Sequence, residues 1–531
     1  MSLPNWQLRL SSKRKNGSNR NGMILLIVLI VVVVLALGAY SFCDLMLAHS
    51  DAVAISGRQL QARYLVDSGI DYLKLYLMQD KETISEAGGI YDNPALFQAI
   101  PVVYSEADVA LRANFTIIGP ALDAQGSLAG ARFGLEDESA RLNLNTLLAA
   151  EEQQAEAGRD LLMALPGMTA DVADAILDWI DTDELPRDYG VESDYYGSLD
   201  PPYACKNGPL DTVEELLLVR GVSAEMLFGR DINRNGSVDA FEMMPQAGDD
   251  TAAITNFDVS DRGWAGYLTL HSLESNINAQ GFPRIDVNQE DIATLYEELD
   301  TVFSSEWANF IVAYRQYGAA SGGGGSTVNA NSIKIDTSVA GSTTFFQVLD
   351  LIGAQVQVPG DGDEDAKTLK SPFEDEIGAM GLYLPLLMDN ITINPSETVP
   401  GRININQAPY ELLIGIPGIT EEIVEQIIQE REYEPALEDL NRTFETWILA
   451  RGIVTLQEMK TLQPFINGGG DVYRAQIIGY FEDGSASSRV EILLDRTEDI
   501  PRLIQWRDLS QLGRGYPLET LGVQLIMEAT N

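Results

Sequence analysis

The sequence predicts an α+β fold in which a long N-terminal helix lies on a small antiparallel sheet, with a large α-helical region inserted into that sheet. Three observations predict it. Residues 23–77 keep apolar positions at helical spacing, strand patterns occur near residues 111–118 and 473–494, and the segment between them is rich in helix patterns. Because strands from both ends of the chain must meet to build one sheet, the middle of the chain is predicted to be an insertion.

The N-terminal helix begins as a membrane span. Fifteen apolar residues run from Met23 to Leu37, and no charge follows until after Cys43. A helix over residues 23–43 rises about 32 Å, and a bilayer core is about 30 Å thick. The residues before the span include no acid and five bases, which keeps the N-terminus in the cytoplasm: Arg9, Lys13, Arg14, Lys15 and Arg20. The sequence therefore predicts a single-pass protein whose bulk lies outside the cytoplasm.

Three interpretations of this segment compete. A plain signal-anchor needs only hydrophobicity and flanking charge. A cleaved signal peptide fits less well, because the apolar run is long and no clear A-x-A site follows it. A type IV prepilin-type leader is cut on the cytoplasmic side of the apolar run, after a Gly, and Gly22 before Met23 stands at that position. Gly22 and Met23 are thus the candidate processing residues.

Past the membrane the helix continues to about Gln79 and turns an apolar stripe towards the sheet. The stripe is formed by Val66, Ile70, Leu73 and Leu77. The first strand is predicted over residues 111–118, where alternate positions are apolar: Leu111, Ala113, Phe115 and Ile117. Later strands are predicted over residues 473–481 and 488–494, joined by a turn at residues 482–485.

The middle of the chain repeats a short phrase. Each copy alternates apolar residues with Asn or Asp, which can cap a following helix: Leu142-Asn-Leu-Asn-Thr146, Ile285-Asp-Val-Asn-Gln289 and Ile403-Asn-Ile-Asn-Gln-Ala-Pro409. Two copies lead to a Pro-Gly helical hairpin, at Pro166-Gly167 and Pro417-Gly418. Residues 321–326 are predicted to be a flexible link and residues 359–365 an acidic loop.

Composition excludes several functions. The 531 residues carry 79 acidic and 35 basic side chains, a net charge of −44, so phosphate backbones are repelled and nucleic acid is not expected as a partner. The only cysteines, Cys43 and Cys205, are not expected to pair. Neither His49 nor His271 sits in a catalytic motif, and no carboxylate pair stands out. No enzymatic activity is therefore expected, although an anchored acidic hydrolase remains an alternative.

The clearest motif is a twelve-residue loop of the EF-hand type, from residue 231 to residue 242. Its side chains supply oxygen at the positions that calcium requires, Gly236 allows the sharp turn, and the Ser237 carbonyl is the seventh-position ligand. The predicted Ca²⁺ ligands are Asp231, Asn233, Asn235, Ser237, Asp239 and Glu242. A polar turn without a metal would not need these residues in register, so the sequence predicts a structural calcium site.

A second acidic cluster follows the first hairpin helix. A solvated acidic face explains it without a ligand, and a second calcium site drawing on Asp181, Asp183 and Glu192 is the alternative.

These phrases together resemble the type II secretion system minor pseudopilin K family, also called general secretion pathway protein K. The resemblance rests on the Gly22/Met23 leader, the hairpins and these stretches: Glu136-Asp-Glu-Ser-Ala-Arg-Leu-Asn-Leu-Asn145, Asp178-Trp-Ile-Asp-Thr-Asp183, Tyr189-Gly-Val-Glu192, Tyr195-Tyr196, Pro201-Pro-Tyr203, Asn207-Gly-Pro-Leu210 and Glu214-Glu-Leu216. It implies a pilin-like fold with an inserted α-helical domain, calcium binding, and a place with other minor pseudopilins at the pseudopilus tip, where assembly starts.

The resemblance also implies an inner-membrane protein with a periplasmic body, cut by a prepilin peptidase and in contact with the inner-membrane assembly platform. Shaft-forming pilins typically carry Glu at the fifth mature position, where this chain has Ile27. An unpaired charge in lipid is costly, and a tip subunit needs none. Residues 243–280 and 321–376 are extra length for the family, and the loop at 231–242 does not match its usual calcium positions.

The predicted organisation follows from these features. It comprises a leader (1–22), an N-terminal helix (23–80), the first part of the sheet (81–140), an inserted helical domain with the calcium loop (141–320), a Gly-rich and acidic linker (321–376), a second helix-hairpin-helix-like segment (377–470) and the last part of the sheet (471–531).

The alternative function is a membrane-anchored DNA-uptake protein of the competence type, because such proteins also combine one span with helix-hairpin-helix elements. Charge disfavours it: residues 403–432 carry six glutamates and only one basic residue, Arg431.

Overall fold

The computed structural model describes residues 20–105, 108–239, 242, 262–320, 326–360, 366–436 and 439–523. Residues up to 61 and residues from 62 onward form two units, which are described separately. In the first unit every described residue is helical, and the side chains of residues 23–43 are exposed. The helix Met23–Leu77 is long and apolar enough to cross a membrane.

The α-helices of the described residues are α1 Arg20–Leu77, α2 Lys81–Glu86, α3 Pro94–Phe97, α4 Leu147–Gln153, α5 Ala157–Met163, α6 Ala170–Ile180, α7 Ser193–Gly197, α8 Ala224–Phe228, α9 Ile292–Val302, α10 Ser305–Tyr317, α11 Ile377–Asn390, α12 Tyr410–Leu413, α13 Glu421–Glu430, α14 Leu440–Thr443, α15 Trp447–Ala450 and α16 Leu456–Leu462.

The strands are β1 Ile100–Val103, β2 Ala113–Leu122, β3 Leu128–Arg132, β4 Glu136–Asp137, β5 Leu142–Asn143, β6 Leu268–Thr269, β7 Leu273–Ser275, β8 Ile285–Asp286, β9 Ser326–Val328, β10 Gln355–Val358, β11 Lys367–Lys370, β12 Ile391–Thr392, β13 Thr398–Pro400, β14 Ile403–Asn404, β15 Ile466–Asn467, β16 Val472–Phe481, β17 Ser487–Asp495 and β18 Arg502–Asp508.

The C-terminal part of α1 packs on the sheet as predicted. The stripe residues Val66, Ile70, Leu73 and Leu77 are all buried, in one apolar cluster with residues of β2, β16 and β17. Gly69 explains how close this packing is, because a Cβ at that position would lie 2.7 Å from the Cγ2 of Ile477. Glycine lowers the stability of a helix, but because Gly69 has no Cβ, α1 can approach the sheet closely at this position.

The main sheet is antiparallel and combines strands that precede the helical insertion with strands that follow it. Its order is β1-β2-β16-β17-β18, with β3 also on β2 and β4 also on β16. This confirms the predicted fold class: a helix on an antiparallel sheet whose strands β2 and β16 are separated in sequence by a largely helical insertion. One detail is wrong, because the strand starts at Ala113 and Leu111 lies in an exposed 3₁₀ turn. Alternation predicted one buried face, whereas both faces of β2 are covered at Phe115 and Thr116.

The insertion consists of three modules that the recurring phrase opens. In each module the two residues that begin the phrase form a short strand paired in parallel with a strand that closes the module: β5 with β6, β8 with β12, and β14 with β15. We call residues 142–269 module A, residues 285–392 module B and residues 403–467 module C.

The Asn or Asp at the second position of each phrase makes the same turn in all three modules. Asn143, Asp286 and Asn404 each accept the backbone N–H two residues later, at 3.1, 2.9 and 2.8 Å. The sequence prediction that these residues cap the following α-helices is therefore wrong. They form local side-chain turns, and Asn143 caps only a 3₁₀ turn.

The Asn at the fourth position of each phrase makes hydrogen bonds within its own module. Asn145 exchanges two hydrogen bonds with the backbone of Leu210, at 2.8 and 3.1 Å. Asn288 does the same with the backbone of Phe345, at 2.8 and 3.1 Å. Asn406 differs, since it accepts the indole N–H of Trp447 at 3.0 Å. The phrase is thus a structural motif that closes each module on itself.

The linker predicted over residues 321–376 is wrong for the described part of that segment. Strands β9, β10 and β11 form a three-stranded sheet there, and Phe345, Leu349 and Phe373 are buried in the main core. Glycine and acid content dominated the prediction, whereas the apolar residues between them pack in module B. Residues 321–325 and 361–365, on which the flexible link and the acidic loop were mainly predicted, lie outside the described residues.

A buried polar junction connects the sheet to the modules, at residues 136–141. Asp137 accepts hydrogen bonds from the backbone N–H of Ser139 (2.8 Å), from the Asn404 amide (2.8 Å) and from the backbone N–H of Gly470 (2.6 Å). Glu138 pairs with Arg474, which also pairs with Glu491 at 2.9 Å. Burial opposes the ionisation of Glu138, but the Arg474 charge outweighs it and lowers the pKa of that carboxyl.

Cys43 and Cys205 are both free thiols, as predicted.

We expect Asp137→Ala to lower the free energy of unfolding by about 3 kcal/mol or more, because it leaves three buried donors without an acceptor. Urea unfolding of the detergent-solubilised full chain at pH 7.5 measures it. Glu152→Ala is the matched control, since Glu152 is exposed on α4 and should change stability by less than about 0.5 kcal/mol. Equal effects of the two substitutions would contradict the role given to the junction.

Candidate metal centres

The predicted EF-hand-type loop folds around its own carboxylates. Asp231 accepts backbone N–H bonds from Asn235 at 3.0 Å and from Gly236 at 2.8 Å. Glu242 accepts those of Asn233 at 3.0 Å and Asp239 at 2.8 Å. Arg234 and Gly236 have positive φ angles of 56° and 77°, which wind the backbone tightly. Hydrogen bonds within the loop therefore connect the residues predicted as ligands.

The amide side chains complete this arrangement. Asn233 and Asn235 both donate to one oxygen of Asp239, at 2.8 and 3.0 Å. The Oδ1 of Asn233 is buried and has no hydrogen-bond partner. The backbone N–H of Ser237 donates to Asn235 at 2.8 Å. An unpaired buried oxygen among three carboxylates is the donor set that a hard cation prefers, so the residues fit calcium.

The loop is fastened to the sheet, which the sequence did not predict. Gln476 of β16 donates to the carbonyl of Arg234 at 2.8 Å, and Arg489 of β17 donates to the carbonyl of Asn233. Tyr516 donates its hydroxyl to the carbonyl of Asn235 at 2.8 Å. Three backbone carbonyls of the loop thus bind the sheet and the C-terminal segment. No local motif marks these donors, because they lie more than 240 residues further along the chain.

The second predicted cluster is assembled differently. Asp178, Asp181 and Glu192 place ligand atoms within 4.8 Å of one another. Asp183, which was predicted as a ligand together with Asp181 and Glu192, is exposed. Its carboxylate accepts the backbone N–H of Leu185 at 2.7 Å. Asp178 takes its place, since residues three apart near a helix end share a face. That spacing within the Asp178-Trp-Ile-Asp181 stretch was the signal available in the sequence.

In this trio, Asp178, Asp181 and Glu192, the first and last residues are buried and Asp181 is partly buried. Both carboxylate oxygens of Glu192 and one of Asp181 are buried without a hydrogen bond. Gly190 makes room for it, because a Cβ there would lie 1.8 Å from an oxygen of Asp178. Arg187 contacts Asp178 at 3.4 Å and supplies one positive charge for three carboxylates. The uncompensated oxygens fit a bound cation.

Burial and mutual repulsion raise the pKa of every member of the trio. Burial raises the pKa of Glu192 to about 7, and the charges of Asp181 and Asp178 add to the effect. Burial likewise raises the pKa of Asp178 and of Asp181 to about 6. Without a cation the trio therefore holds protons that the unfolded chain releases at lower pH.

The basic residue next to the second Pro-Gly hairpin is not presented to a phosphate backbone. Next to the second hairpin the guanidinium of Arg431 is turned inward, where it donates to the carbonyl of Ala408 at 2.6 Å. The predicted processing residues Gly22 and Met23 lie near the start of α1, and Met23 is exposed.

Comparisons with known proteins match part of this chain. The family model for type II secretion system (T2SS) protein K matches residues 140–228. The type II secretion system protein K of Aeromonas hydrophila is 46% identical over 56 residues, which are 10% of this chain and 17% of that relative. A chain in the crystal structure of the GspK-GspI-GspJ complex from the enterotoxigenic Escherichia coli type 2 secretion system is 11% identical, with a TM-score of 0.37 over 87% of this chain and 98% of that chain.

The resemblance predicted from the sequence is confirmed over residues 140–228. That stretch lies in module A and contains Asp178, Asp181 and Glu192, and it ends before the loop at residue 231. The aligned residues span about a sixth of the curated relative, since they cover 17% of it.

We expect the stability of the metal-free protein to fall as pH rises from about 5 to 7.5, because the raised pKa values mean that the folded trio binds more protons than the unfolded chain. Glu192→Gln removes the group with the largest shift and should reduce that fall by about 1–3 kcal/mol. Urea unfolding in EDTA at the two pH values measures it, and Glu152→Gln on the exposed face of α4 is the control. An identical pH dependence in wild type and Glu192→Gln would contradict the interpretation of the trio.

Proposed function

We propose that this chain is the protein K minor pseudopilin of a type II protein secretion system. It sits at the tip of the pseudopilus and helps to start pseudopilus assembly for protein export across the outer membrane. The match of residues 140–228 to the protein K family model carries the proposal. The fold agrees with it, since an apolar helix continues onto an antiparallel sheet that carries a large helical insertion.

The anchor gives the proposed location. The chain crosses the inner membrane once, with its N-terminus in the cytoplasm and its bulk in the periplasm, as the basic residues before the apolar run favour. A prepilin peptidase cuts after Gly22 and leaves the helix from Met23 on the mature chain. Ile27 then stands at the fifth position, where an apolar residue suits a subunit that begins a fibre.

The proposed partners are other minor pseudopilins and the inner-membrane assembly platform. The E. coli structure that resembles this chain contains GspK with GspI and GspJ, which supports minor pseudopilins as the first partners to test. The proposed role is structural, not enzymatic. His271 is half-buried, and its backbone N–H donates to the hydroxyl of Thr269 at 3.1 Å.

Calcium has a proposed structural role at two sites, the loop at 231–242 and the trio. At the loop Asp231, Asn233, Asn235, Asp239 and Glu242, with the Ser237 carbonyl, supply the ligands, and at the trio Asp178, Asp181 and Glu192 do. A bound Ca²⁺ neutralises carboxylates that repel one another. At the loop, bound Ca²⁺ rigidifies the backbone whose carbonyls accept hydrogen bonds from Gln476, Arg489 and Tyr516. Calcium therefore strengthens the attachment of module A to the sheet.

We expect chelation to lower the melting temperature of the full chain in detergent, because the carboxylates at both sites lose the charge that offsets their repulsion. Calorimetric titration should find two Ca²⁺ per wild-type chain and one in Asp231→Ala/Glu242→Ala, with affinities of about 10⁻⁴–10⁻³ M. Glu192→Gln should also bind one. Glu152→Gln should behave as wild type, and two sites retained in either variant would rule out the assigned ligands.

Processing tests the pseudopilin assignment itself. The protein purified from cells that carry a type II secretion system should begin at Met23 by intact mass spectrometry. Gly22→Val should retain its leader because a branched side chain obstructs the cut, whereas Gly38→Ala, in open space on the same helix, should be cut normally. An intact Met1, or cleavage beyond Cys43, would refute the assignment.

A further inference from the structure

The chain from residue 62 onward contains three Asn-Gly pairs, which are Asn207-Gly208, Asn235-Gly236 and Asn467-Gly468. This dipeptide is prone to deamidation, because glycine has no Cβ to keep its backbone nitrogen away from the preceding side-chain amide. The reaction needs a backbone N–H that is not already bonded, room for the backbone to turn, and access for water. The structure shows that the three pairs differ in these respects.

The fold protects the second and third pairs. Asn235 is 5% exposed, and the backbone N–H of Gly236 donates to the carboxylate of Asp231 at 2.8 Å. Asn467 is 2% exposed, and Gly468 is packed so tightly that a Cβ there would overlap a backbone carbonyl oxygen of a neighbouring segment. At both pairs the surrounding structure must open before the side-chain amide can react.

The pair Asn207-Gly208 lacks this protection. It lies in a loop outside any helix or strand, and both residues are partly exposed. Among the described residues no acceptor bonds the backbone N–H of Gly208. Apart from its chain neighbours, the nearest atom to a Cβ on Gly208 would be the carbonyl oxygen of Lys206, at 3.8 Å, so the backbone has room to turn.

The amide of Asn207 also links two segments of the trio. Its Nδ2 donates to the Oε1 of Glu184 at 2.8 Å, and the same oxygen accepts the hydroxyl of Ser193 at 3.1 Å. Glu184 closely follows Asp181 in the chain, and Ser193 directly follows Glu192. A carboxylate in place of the amide cannot donate this hydrogen bond, and it repels the carboxylate of Glu184.

We propose that Asn207 is a site of deamidation, at which the backbone of Gly208 and water convert the side-chain amide to a carboxylate. The backbone nitrogen of Gly208 attacks Cγ of Asn207. A nitrogen–carbon bond forms, the bond from Cγ to Nδ2 breaks, and ammonia leaves with the proton of the backbone N–H. Water then opens the cyclic imide at either carbonyl and gives aspartate or isoaspartate. In sum one water is consumed and one ammonia is released.

The product separates the two segments that the amide links. It places a new negative charge next to Glu184, in a region where Asp181 and Glu192 already repel each other. Deamidation at Asn207 therefore loosens the loops that carry the trio.

Peptide mapping by mass spectrometry tests the proposal on the full chain in detergent. Folded protein is incubated at pH 8 with EDTA, in parallel with a sample in concentrated urea. In urea the three pairs should convert at similar rates, because the dipeptide is the same. In the folded protein Asn207 should convert at least about tenfold faster than Asn235 and Asn467, which react only after local opening. Because the chelator is present throughout, the result does not depend on the proposed calcium sites.

Variants test the two roles separately. Gly208→Ala should slow the conversion of Asn207 by about tenfold, because its Cβ hinders the attack, whereas Gly197→Ala, at an open position of the same module, should leave the rate unchanged. Asn207→Asp carries the charge of the product and should lower the melting temperature of the metal-free protein. Asn331→Asp, at an exposed position, should not.

Three results would overturn the proposal. They are conversion of Asn207 in the folded protein no faster than that of Asn235 or Asn467, an intact Asn207 after the urea sample has converted, and an unchanged rate in Gly208→Ala. An unchanged melting temperature in Asn207→Asp would contradict the linking role of the amide.

Discussion

The structure depends on one buried polar junction, the segment Glu136 to Arg141, where the chain leaves the sheet and to which it returns after the insertion. Three consecutive acidic residues are buried there, and each has its own partners. Glu136 pairs with Arg141, Asp137 accepts hydrogen bonds from Asn404 in module C and from Gly470 just after it, and Glu138 pairs with Arg474. Charges in a low dielectric are tolerated only when fully paired, so the sheet and the modules must be in their native places together. The junction therefore links the position of the insertion to that of the sheet.

The candidate metal centres are subject to the same constraint, but there some buried carboxylate oxygens have no partner within the protein. At the junction protein groups complete every carboxylate, whereas Glu192 keeps two buried oxygens without a partner. Burial raises the pKa of Glu192 to about 7, so its protonated and ionised forms are close in free energy near neutral pH. The loop at 231–242 adds a mechanical element, because its backbone carbonyls are held by β16, β17 and Tyr516. The loop thus attaches module A to the sheet and to the C-terminal segment.

Local patterns in the sequence predicted what depends on neighbours along the chain. The apolar stripe from Val66 to Leu77, the strands around residues 113–118 and 472–495, and the loop from Asp231 to Glu242 all follow from spacing. The errors have physical causes. Leu111 keeps the alternation but lies beyond the last strand hydrogen bond, and residues 326–358 look like a linker by composition although their apolar residues reach the core. Asp183 belongs to the acidic run, but it follows the end of α6 and points to solvent, whereas Asp178 faces Glu192.

The sequence by itself determined the long apolar N-terminal helix, the class of fold, the insertion and the similarity to the protein K family over residues 140–228. Each of these follows from hydrophobic periodicity or from contiguous motifs. The recurring Asn phrase was also visible in the sequence, but its structural role was not. Only the tertiary structure decided that each phrase closes a module through a parallel strand pair and that Asp178 completes the trio. The paired strands are far apart along the chain, so the packing of each module, not the order of residues, brings them together.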